Sequence, residues 1–172
     1  MAPMIDDNPD TLRYALGPTS LGTVLVAHGA CGIVAILIGD AREPLVRDLW
    51  RRFPASRLIE GASAAYLAAV TAIIDGREEL CALPLDMRGT PLQRRVWDAL
   101  RRIPPGATQS YSDIARSIGA PAAVRAVAGA CAANPLAVAI PCHRVLRRDG
   151  GLSGYRWGVA RKRALLAREA AR

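Results

Sequence analysis

The strongest chemical signal in this chain of 172 residues is the run Ile140-Pro141-Cys142-His143-Arg144. A thiol is a poor nucleophile until it ionises, and its ordinary pKa is about 8.5. A nearby imidazole and cationic charge would favour the thiolate, so the run predicts nucleophilic chemistry at Cys142. Adjacent side chains of an extended segment point opposite ways, so contact with His143 needs a turn or a bridging water. The alternative is a buried structural thiol.

The metal- and nucleotide-binding motifs that the sequence lacks favour a reaction without a cofactor. The histidines are His28 and His143, and the sequence has no HExxH motif and no paired CxxC. A zinc site is therefore not predicted, although His28 and Cys31 lie close together in the first half. The sequence also lacks a GxGxxG motif and a P-loop, so no nucleotide cofactor is expected.

The secondary structure of the first half can be predicted from the periodicity of its apolar residues and from its turn signals. Runs of β-branched and aliphatic residues predict three strands, with His28-Gly29-Ala30 as the turn between the last two. Apolar residues at helical spacing predict two helices after them. The expected strands are Leu12–Leu16, Gly22–Ala27 and Gly32–Ile38, and the expected helices are Pro44–Phe53 and Ala62–Ile74. An extended segment then leads to a domain boundary that separates residues 1–87 from 88–172.

The second half is predicted to be mainly helical. Thr90-Pro91 caps a helix whose apolar face extends to Ile103, and Ser110 with Asp113 forms a capping box for a short helix that ends at Ile118. A further helix over residues 121–132 completes a helix-turn-helix. Val138–Ile140 is expected to be an extended approach to Cys142.

The second helix of this pair is made almost entirely of small residues, and only Arg125 carries a long polar side chain. A narrow helix can approach the floor of a nucleic-acid groove closely, with Arg125 as a wedge. The alternative is an alanine-rich core helix that has one surface arginine.

The charge distribution indicates a class of binding partner, and the cysteine pattern indicates a cellular compartment. The chain has 23 Lys and Arg against 15 Asp and Glu, and its one lysine is Lys162. Residues 86–172 hold 16 of the cations and 5 of the acids, which suggests a polyanion partner for this half, with a solvated basic surface as the alternative. Four cysteines without CxxC spacing, no signal peptide and no apolar run near the ~20 residues of a membrane span predict a soluble cytoplasmic protein.

Residues 88–169 resemble the O6-alkylguanine-DNA alkyltransferases, also called methylated-DNA–protein-cysteine methyltransferases. The matching strings, in order and at these spacings, are Ser110-Tyr111, Val124-Arg125-Ala126-Val127, Ala133-Asn134-Pro135, Pro141-Cys142-His143-Arg144-Val145, Gly151-Leu152-Ser153-Gly154-Tyr155-Arg156-Trp157-Gly158 and Arg161-Lys162-Arg163-Ala164-Leu165-Leu166 with Glu169. The first half matches more weakly, at residues 13–16, 35–40 and 83–89, and there the chain is most similar to a bacterial adaptive-response branch of the family.

The resemblance implies an α/β N-terminal subdomain with a ribonuclease H-like sheet and a mainly helical, winged-helix-like C-terminal subdomain with a helix-turn-helix. It implies a monomer that flips O6-methylguanine, and also O4-methylthymine, out of double-stranded DNA. The methyl group would pass irreversibly to Cys142 in one turnover without a cofactor. Such a protein works in the bacterial cytoplasm, on the nucleoid when it is bound to DNA.

The resemblance also implies roles for single residues. Cys142 is the acceptor, His143 polarises it through a water, and Glu169 orients His143. Asn134 holds the active-site segment, and Tyr111 presses on a phosphate and protonates the leaving guanine. The implied DNA-binding set is Arg125, Tyr111, Ala123, Ala126, Ala130, Arg94 and Arg144.

The implied substrate pocket is formed by Pro141, Tyr155, Arg156 and Trp157. Many relatives have small residues where Arg156 and Trp157 stand, so a tighter pocket is expected here, good for methyl and poor for benzyl.

Three rival functions remain at this point. A non-catalytic binder of alkylated DNA would lack the acceptor cysteine, which is present. A helix-turn-helix regulator would leave the Cys–His pair incidental. A thiol hydrolase would release an acyl product in a burst.

Overall fold

The computed structural model describes residues 10–78, 82–152 and 154–172. Residues 1–9, Glu79, Leu80, Cys81 and Ser153 therefore lie outside the described part of the chain. The chain divides into two compact units, Met1–Asp86 and Met87–Arg172. This division lies one residue before the expected boundary at 87/88.

The described residues of the first unit form a four-stranded sheet with two helices packed on it. The strands have the order β3-β2-β1-β4, in which β1–β2 and β2–β3 are antiparallel and β1–β4 is parallel. Its elements are β1 (Thr11–Thr19), β2 (Gly22–Gly29), β3 (Gly32–Gly39), α1 (Arg42–Arg52), β4 (Arg57–Glu60) and α2 (Ala64–Ile74). The three predicted strands and both predicted helices of this half are confirmed within a few residues.

Strand β4 was not predicted. It is four residues long, and its sequence Arg57-Leu58-Ile59-Glu60 is too short to show alternation. Parallel pairing with β1, in which Thr11 lies opposite Arg57, creates it. A strand that is defined by such a distant partner leaves little local signal.

The core of the first unit follows from the buried faces of its sheet. Residues Ile33 to Leu37 of β3 are fully buried, as expected for a strand with an apolar run instead of an alternating one. Helices α1 and α2 supply Leu45, Leu49 and Val70 to this core. The His28 ring accepts a hydrogen bond from the Ser63 amide at its Nε2 atom, at 3.1 Å, and Cys31 is exposed.

Within its described residues, the second unit contains four helices, a short two-stranded sheet and one 3-10 turn. Its elements are α3 (Pro91–Leu100), β5 (Gln109–Ser110), α4 (Tyr111–Ser117), α5 (Val124–Ala133), the 3-10 turn Cys142–Arg144, β6 (Val145–Leu146) and α6 (Val159–Ala170). Strands β5 and β6 pair in parallel, with Gln109 opposite Val145 and Ser110 opposite Leu146. This pairing brings the start of α4 beside the end of the 3-10 turn.

The two helix starts in this unit for which a cap was predicted both have it. The Thr90 hydroxyl accepts a hydrogen bond from the Gln93 backbone amide, and the Gln93 side-chain oxygen accepts one from the Thr90 backbone amide. The Ser110 hydroxyl likewise accepts from the Asp113 amide, while the Asp113 carboxylate accepts from the Ser110 amide at 2.9 Å. Asp can therefore replace the usual Glu of a capping box here.

Three boundaries differ from the predictions. Helix α3 ends at Leu100, and Ile103 is buried in the turn that follows. Helix α5 begins at Val124 instead of residue 121, because the turn after Gly119 (φ +71°) is closed by an Ala123–Ala120 hydrogen bond. The approach over 138–140 is a series of turns and not extended, and Val138 has φ +60°.

Among the described residues, no helix is long and apolar enough to cross a membrane.

Trp97 joins α3 to α5 and gives the first prediction. Its side chain is 1% exposed, and its indole Nε1 donates to the Ala130 carbonyl oxygen at 2.9 Å. Trp97→Phe removes the donor and leaves a cavity, so we expect a loss of about 1–3 kcal/mol in the free energy of unfolding. Urea unfolding followed by circular dichroism measures it.

Trp50 provides the matched control, because it is 51% exposed on α1. Trp50→Phe is expected to change the unfolding free energy by less than about 0.5 kcal/mol. Equal losses in the two variants would contradict the role given to the Trp97 hydrogen bond.

Candidate active site

The acceptor candidate Cys142 begins the 3-10 turn between Pro141 and β6. The Arg144 amide bonds the Pro141 carbonyl at 3.0 Å, and the Cys142 amide bonds the Ile140 carbonyl at 2.8 Å. Three residues per turn direct the side chains of Cys142, His143 and Arg144 to different sides. The turn that sequence reasoning required for a Cys–His arrangement is therefore present.

Asn134 holds the segment that leads to this turn. It follows α5 and is fully buried. Its amide nitrogen donates to the Ile140 carbonyl at 2.9 Å and to the Cys142 Sγ at 3.3 Å. Its amide oxygen accepts from the Leu136 backbone at 2.9 Å. One side chain thus fixes both ends of the loop and also contacts the thiol.

The Cys142 thiol is only 5% exposed. Burial raises its pKa to about 11, although the hydrogen bond from Asn134 and the charge of Lys162 act in the opposite direction. The thiol is therefore protonated at neutral pH. The proton must leave when the thiol reacts.

Glu169 on α6 binds both residues that follow the thiol. Its Oε1 atom lies 2.8 Å from His143 Nε2 and 2.8 Å from an Arg144 Nη atom, and its Oε2 accepts from Arg144 Nε at 3.0 Å. Burial alone would raise the pKa of this carboxyl, but the hydrogen bonds and charges of His143 and Arg144 lower it to about 2. Glu169 is therefore ionised at neutral pH.

The His143 ring is 1% exposed, and burial lowers its pKa despite the opposing effect of Glu169. The neutral ring donates from Nε2 to the carboxylate, which leaves Nδ1 as an acceptor. Nδ1 is buried and has no partner within the described residues. A neutral imidazole with one unpaired nitrogen can accept a proton.

Arg144 is placed differently from its expected DNA-binding role. Its Nε and one Nη atom bond Glu169, and its other Nη atom bonds the Ile103 carbonyl oxygen. The residue is 8% exposed. Since all three nitrogens are occupied inside the protein, the structure contradicts a phosphate contact and gives Arg144 the task of orienting Glu169.

A cavity of about 300 Å³ opens over the thiol. Its lining includes the predicted residues Tyr111, Tyr155 and Arg156 together with Cys142. The lining residues that sequence reasoning missed are Ala128, Cys131, Ala132 and Gly154. Ala128, Cys131 and Ala132 lie at i, i+3 and i+4 on α5, so helical spacing from Cys131 was the signal that could have found them.

Two predicted pocket residues do not line the cavity. Trp157 is 5% exposed and lies behind Tyr155, which it meets edge to face with ring centroids 5.2 Å apart. Pro141 is buried and supplies the carbonyl that starts the 3-10 turn. Both residues therefore support the pocket from outside its surface.

Helix α5 presents one exposed face and one buried face. Arg125 and Ala126 are exposed, and Ala123 is half-buried. Ala130, expected to contact DNA, is instead 3% exposed, and its carbonyl faces Trp97. Arg94, the expected DNA contact on α3, is exposed.

In the described ranges, no group of three or more His, Cys, Asp or Glu side chains could hold a metal ion.

This fold and site are those of a helix-turn-helix unit that carries a buried cysteine under an open cavity. Residues 91–171 match the family model described as 6-O-methylguanine DNA methyltransferase, DNA binding domain. The inducible methylated-DNA–protein-cysteine methyltransferase of Bacillus subtilis is 38% identical over 168 residues, which cover 94% of this chain and 92% of that protein. The chain belongs to the methylated-DNA–protein-cysteine methyltransferase family.

A second relative is the bifunctional transcriptional activator/DNA repair enzyme Ada of Escherichia coli, 52% identical over 164 residues. The match covers 92% of this chain and 46% of Ada, so the chain spans about half the length of that relative. The solved O6-methylguanine methyltransferase of Mycobacterium tuberculosis matches with TM-score 0.78 and 37% identity, over 94% of each chain. Mycobacterium tuberculosis OGT in complex with DNA matches with TM-score 0.75 and 34% identity, over 94% of this chain and 93% of that one.

Glu169→Gln tests the carboxylate that binds His143 and Arg144. The folded pKa of about 2 lies below the ordinary 4.5, so ionised Glu169 stabilises the folded state above about pH 4.5. This stabilisation is lost as the pH falls towards 2. We expect Glu169→Gln to lower the unfolding free energy by about 3 kcal/mol at pH 7, and the difference from wild type to shrink between pH 4.5 and 2.

The measurement is urea unfolding of both proteins across that pH range. Glu60→Gln is the control, since Glu60 forms an exposed ion pair with Arg42 on the first unit, and exposed pairs contribute little. A Glu169→Gln effect that is independent of pH would contradict the electrostatic role.

Proposed function

We propose that the chain repairs alkylated DNA by direct reversal. It flips O6-methylguanine, and also O4-methylthymine, out of the duplex and transfers the methyl group irreversibly to Cys142. The observation that carries this proposal is the Cys142 Sγ under an open cavity, hydrogen-bonded by Asn134 at 3.3 Å and followed by the His143–Glu169 pair. The family membership supports the same reaction.

The chemistry is a displacement at the methyl carbon. The Sγ–CH₃ bond of a thioether forms as the bond between O6 of guanine and the methyl carbon breaks. The thiol loses its proton, and the guanine leaves as a neutral base after it gains one. Because the thioether is stable, no step restores the thiol, and each molecule acts once.

His143 takes the thiol proton through a bridging water in this proposal. Its Nδ1 atom is the unpaired acceptor, and Glu169 holds the ring through Nε2. A carboxylate behind the imidazole stabilises the imidazolium that forms. Asn134 holds the attacking Sγ at the end of the loop. A small displacement of Sγ would misalign it with the methyl carbon and slow the transfer.

Helix α5 is the element that meets DNA. Its exposed face, with Ala126 and the half-buried Ala123, is smooth enough to enter a minor groove closely, and Arg125 would fill the space that the flipped base leaves. A poorly paired alkylated base costs less to extrude than a normal one. Tyr111, which lines the cavity at the start of α4, protonates the leaving guanine and presses on the adjacent phosphate.

Affinity for the duplex comes from arginine contacts with phosphates, of which Arg94 is one, and therefore falls with salt. The partner is double-stranded DNA that carries an O6-alkylguanine. The chain acts as a monomer, because the second unit of a single chain holds every group that the reaction uses. It needs no cofactor, and it works in a reducing bacterial cytoplasm, on the nucleoid when bound to DNA.

The decisive experiment is intact mass spectrometry after incubation with a duplex that contains one O6-methylguanine. We expect a gain of one methyl group and no further turnover with excess DNA. Cys142→Ser should show no gain. Cys131→Ser is the matched control, because Cys131 lines the same cavity but should leave the transfer to Cys142 intact.

Other outcomes would identify the rivals. Retained binding to the lesion without a mass change would indicate a damage binder, and binding to one DNA sequence without thiol loss would indicate a regulator. A burst of acyl product from an activated ester would indicate a thiol hydrolase. Continued turnover of methylated DNA would contradict the suicide reaction.

Arg156 restricts the size of the alkyl group in this proposal. It lines the cavity, and one Nη atom lies 3.4 Å from the Ala132 carbonyl oxygen on α5. The side chain therefore forms part of the cavity wall next to α5. We expect wild type to react poorly with free O6-benzylguanine, and Arg156→Ser to react at least about tenfold faster.

The rate of inactivation by O6-benzylguanine measures this, with residual methyl transfer as the readout. Arg148→Ser is the control, because Arg148 is an exposed arginine that does not line the cavity. Comparable inactivation of wild type by O6-benzylguanine and by methylated DNA would refute the restricted pocket.

A further inference from the structure

Lys162 is a buried cation that the reaction described so far does not use. It is the one lysine in the sequence, it lies on α6, and it is 1% exposed. None of the ion pairs formed by described residues includes it. A buried ammonium without a carboxylate partner is costly, so its retention at this position needs a physical reason.

Its hydrogen bond places it at the acceptor turn. The Nζ atom donates to the Val145 carbonyl oxygen at 2.6 Å. Val145 directly follows the 3-10 turn, and its amide bonds the Cys142 carbonyl. Lys162 and Glu169 are seven residues apart, or two helical turns, so one face of α6 holds the turn at both Val145 and His143.

The charge of Lys162 also acts on the thiols of the cavity. It lowers the pKa of Cys142 and of Cys131, while burial raises them to about 11 and about 12. Burial lowers the pKa of Lys162 itself, and the two cysteines act in the opposite direction. An ammonium and a thiolate in one apolar site therefore favour each other's charged form.

We propose that Lys162 is a positioning residue for alkyl transfer: it fixes the acceptor turn through the Val145 carbonyl, and its ammonium stabilises the thiolate that develops on Cys142. The inference rests on the proposed function for the identity of the alkyl donor. Lys162 keeps its proton throughout, and the thiol proton still leaves by way of His143.

Arg156 also lines the cavity with Cys142, but it is exposed, so water screens its charge. The remaining groups that face Cys142 supply no positive charge. Asn134 and Cys131 face it from the end of α5, Tyr111 from α4, and Tyr155 from the segment before α6. Asn134 carries no ionisable group, and burial raises the pKa of Cys131 and of Tyr155, so neither is ionised at pH 7.

The adjacent residues also leave the thiol without a net cation. Burial lowers the pKa of His143, so its ring is neutral, and the charge of Arg144 is paired with Glu169. Lys162 is buried, so water screens its charge less than that of Arg156, and this charge lowers the pKa of Cys142.

The test uses three substitutions that separate the charge from the hydrogen bond. Lys162→Met removes both, Lys162→Gln keeps a donor without the charge, and Lys162→Arg keeps the charge. Arg163→Met is the control for loss of a cation, since Arg163 is the exposed next residue on α6. Circular dichroism and thermal unfolding establish which variants are folded.

The readout is the pH dependence of Cys142 modification by iodoacetamide, followed by peptide mass spectrometry to distinguish it from the other thiols. We expect the midpoint to rise by about one pH unit in Lys162→Met and Lys162→Gln. Methyl transfer from O6-methylguanine DNA should slow at least about tenfold at pH 7 in the same variants. Lys162→Arg should lie closer to wild type, and Arg163→Met should match it.

Unchanged midpoints in folded Lys162→Gln would overturn the proposal, and so would equal slowing of methyl transfer at all pH values. If Lys162→Met does not fold, Lys162→Gln still decides the question. Failure of the proposed function is distinguishable, because wild type itself would then transfer no methyl group, whereas the iodoacetamide profile does not depend on that reaction.

Discussion

The carboxylate of Glu169 is the constraint on which the acceptor site depends. It accepts hydrogen bonds from His143 and from two nitrogens of Arg144, and all three residues are largely buried. Desolvation of such charges costs several kcal/mol each, so removal of any one partner leaves an uncompensated buried charge. Its effect is geometric, since it joins α6 to the turn that carries Cys142.

The loop between Asn134 and Cys142 imposes the second constraint. Asn134 bonds Leu136, Ile140 and the thiol, so the loop has little freedom at either end. Val138 lies inside it with φ +60°, a conformation that β-branched residues rarely adopt. Such a backbone is retained only where surrounding contacts determine it. The local cost is consistent with a loop whose conformation is set by the position of Sγ.

Recognition and chemistry are connected by short paths in the second unit. Helix α5 ends at Asn134, so the element proposed to enter the groove leads directly into the residue that contacts the thiol. The parallel pairing of β5 with β6 brings Tyr111, at the start of α4, beside the same turn. Residues from both helices of the helix-turn-helix therefore line one cavity with Cys142.

The sequence by itself determined the features that depend on neighbours along the chain. The capping boxes at Thr90 and Ser110, the strands β1 to β3, and the Cys142-His143 dipeptide all depend on local spacing, and ordered family motifs identified Glu169 and Asn134. Tertiary structure alone decided β4, the burial of Arg144 and Ala130, the position of Trp157 behind Tyr155, and the place of Lys162 beside the acceptor turn. Which charge is neutralised, which side chain lines a cavity and which short segment pairs as a strand depend on groups distant in sequence, because burial and hydrogen bonding are properties of the packed chain and not of a residue type.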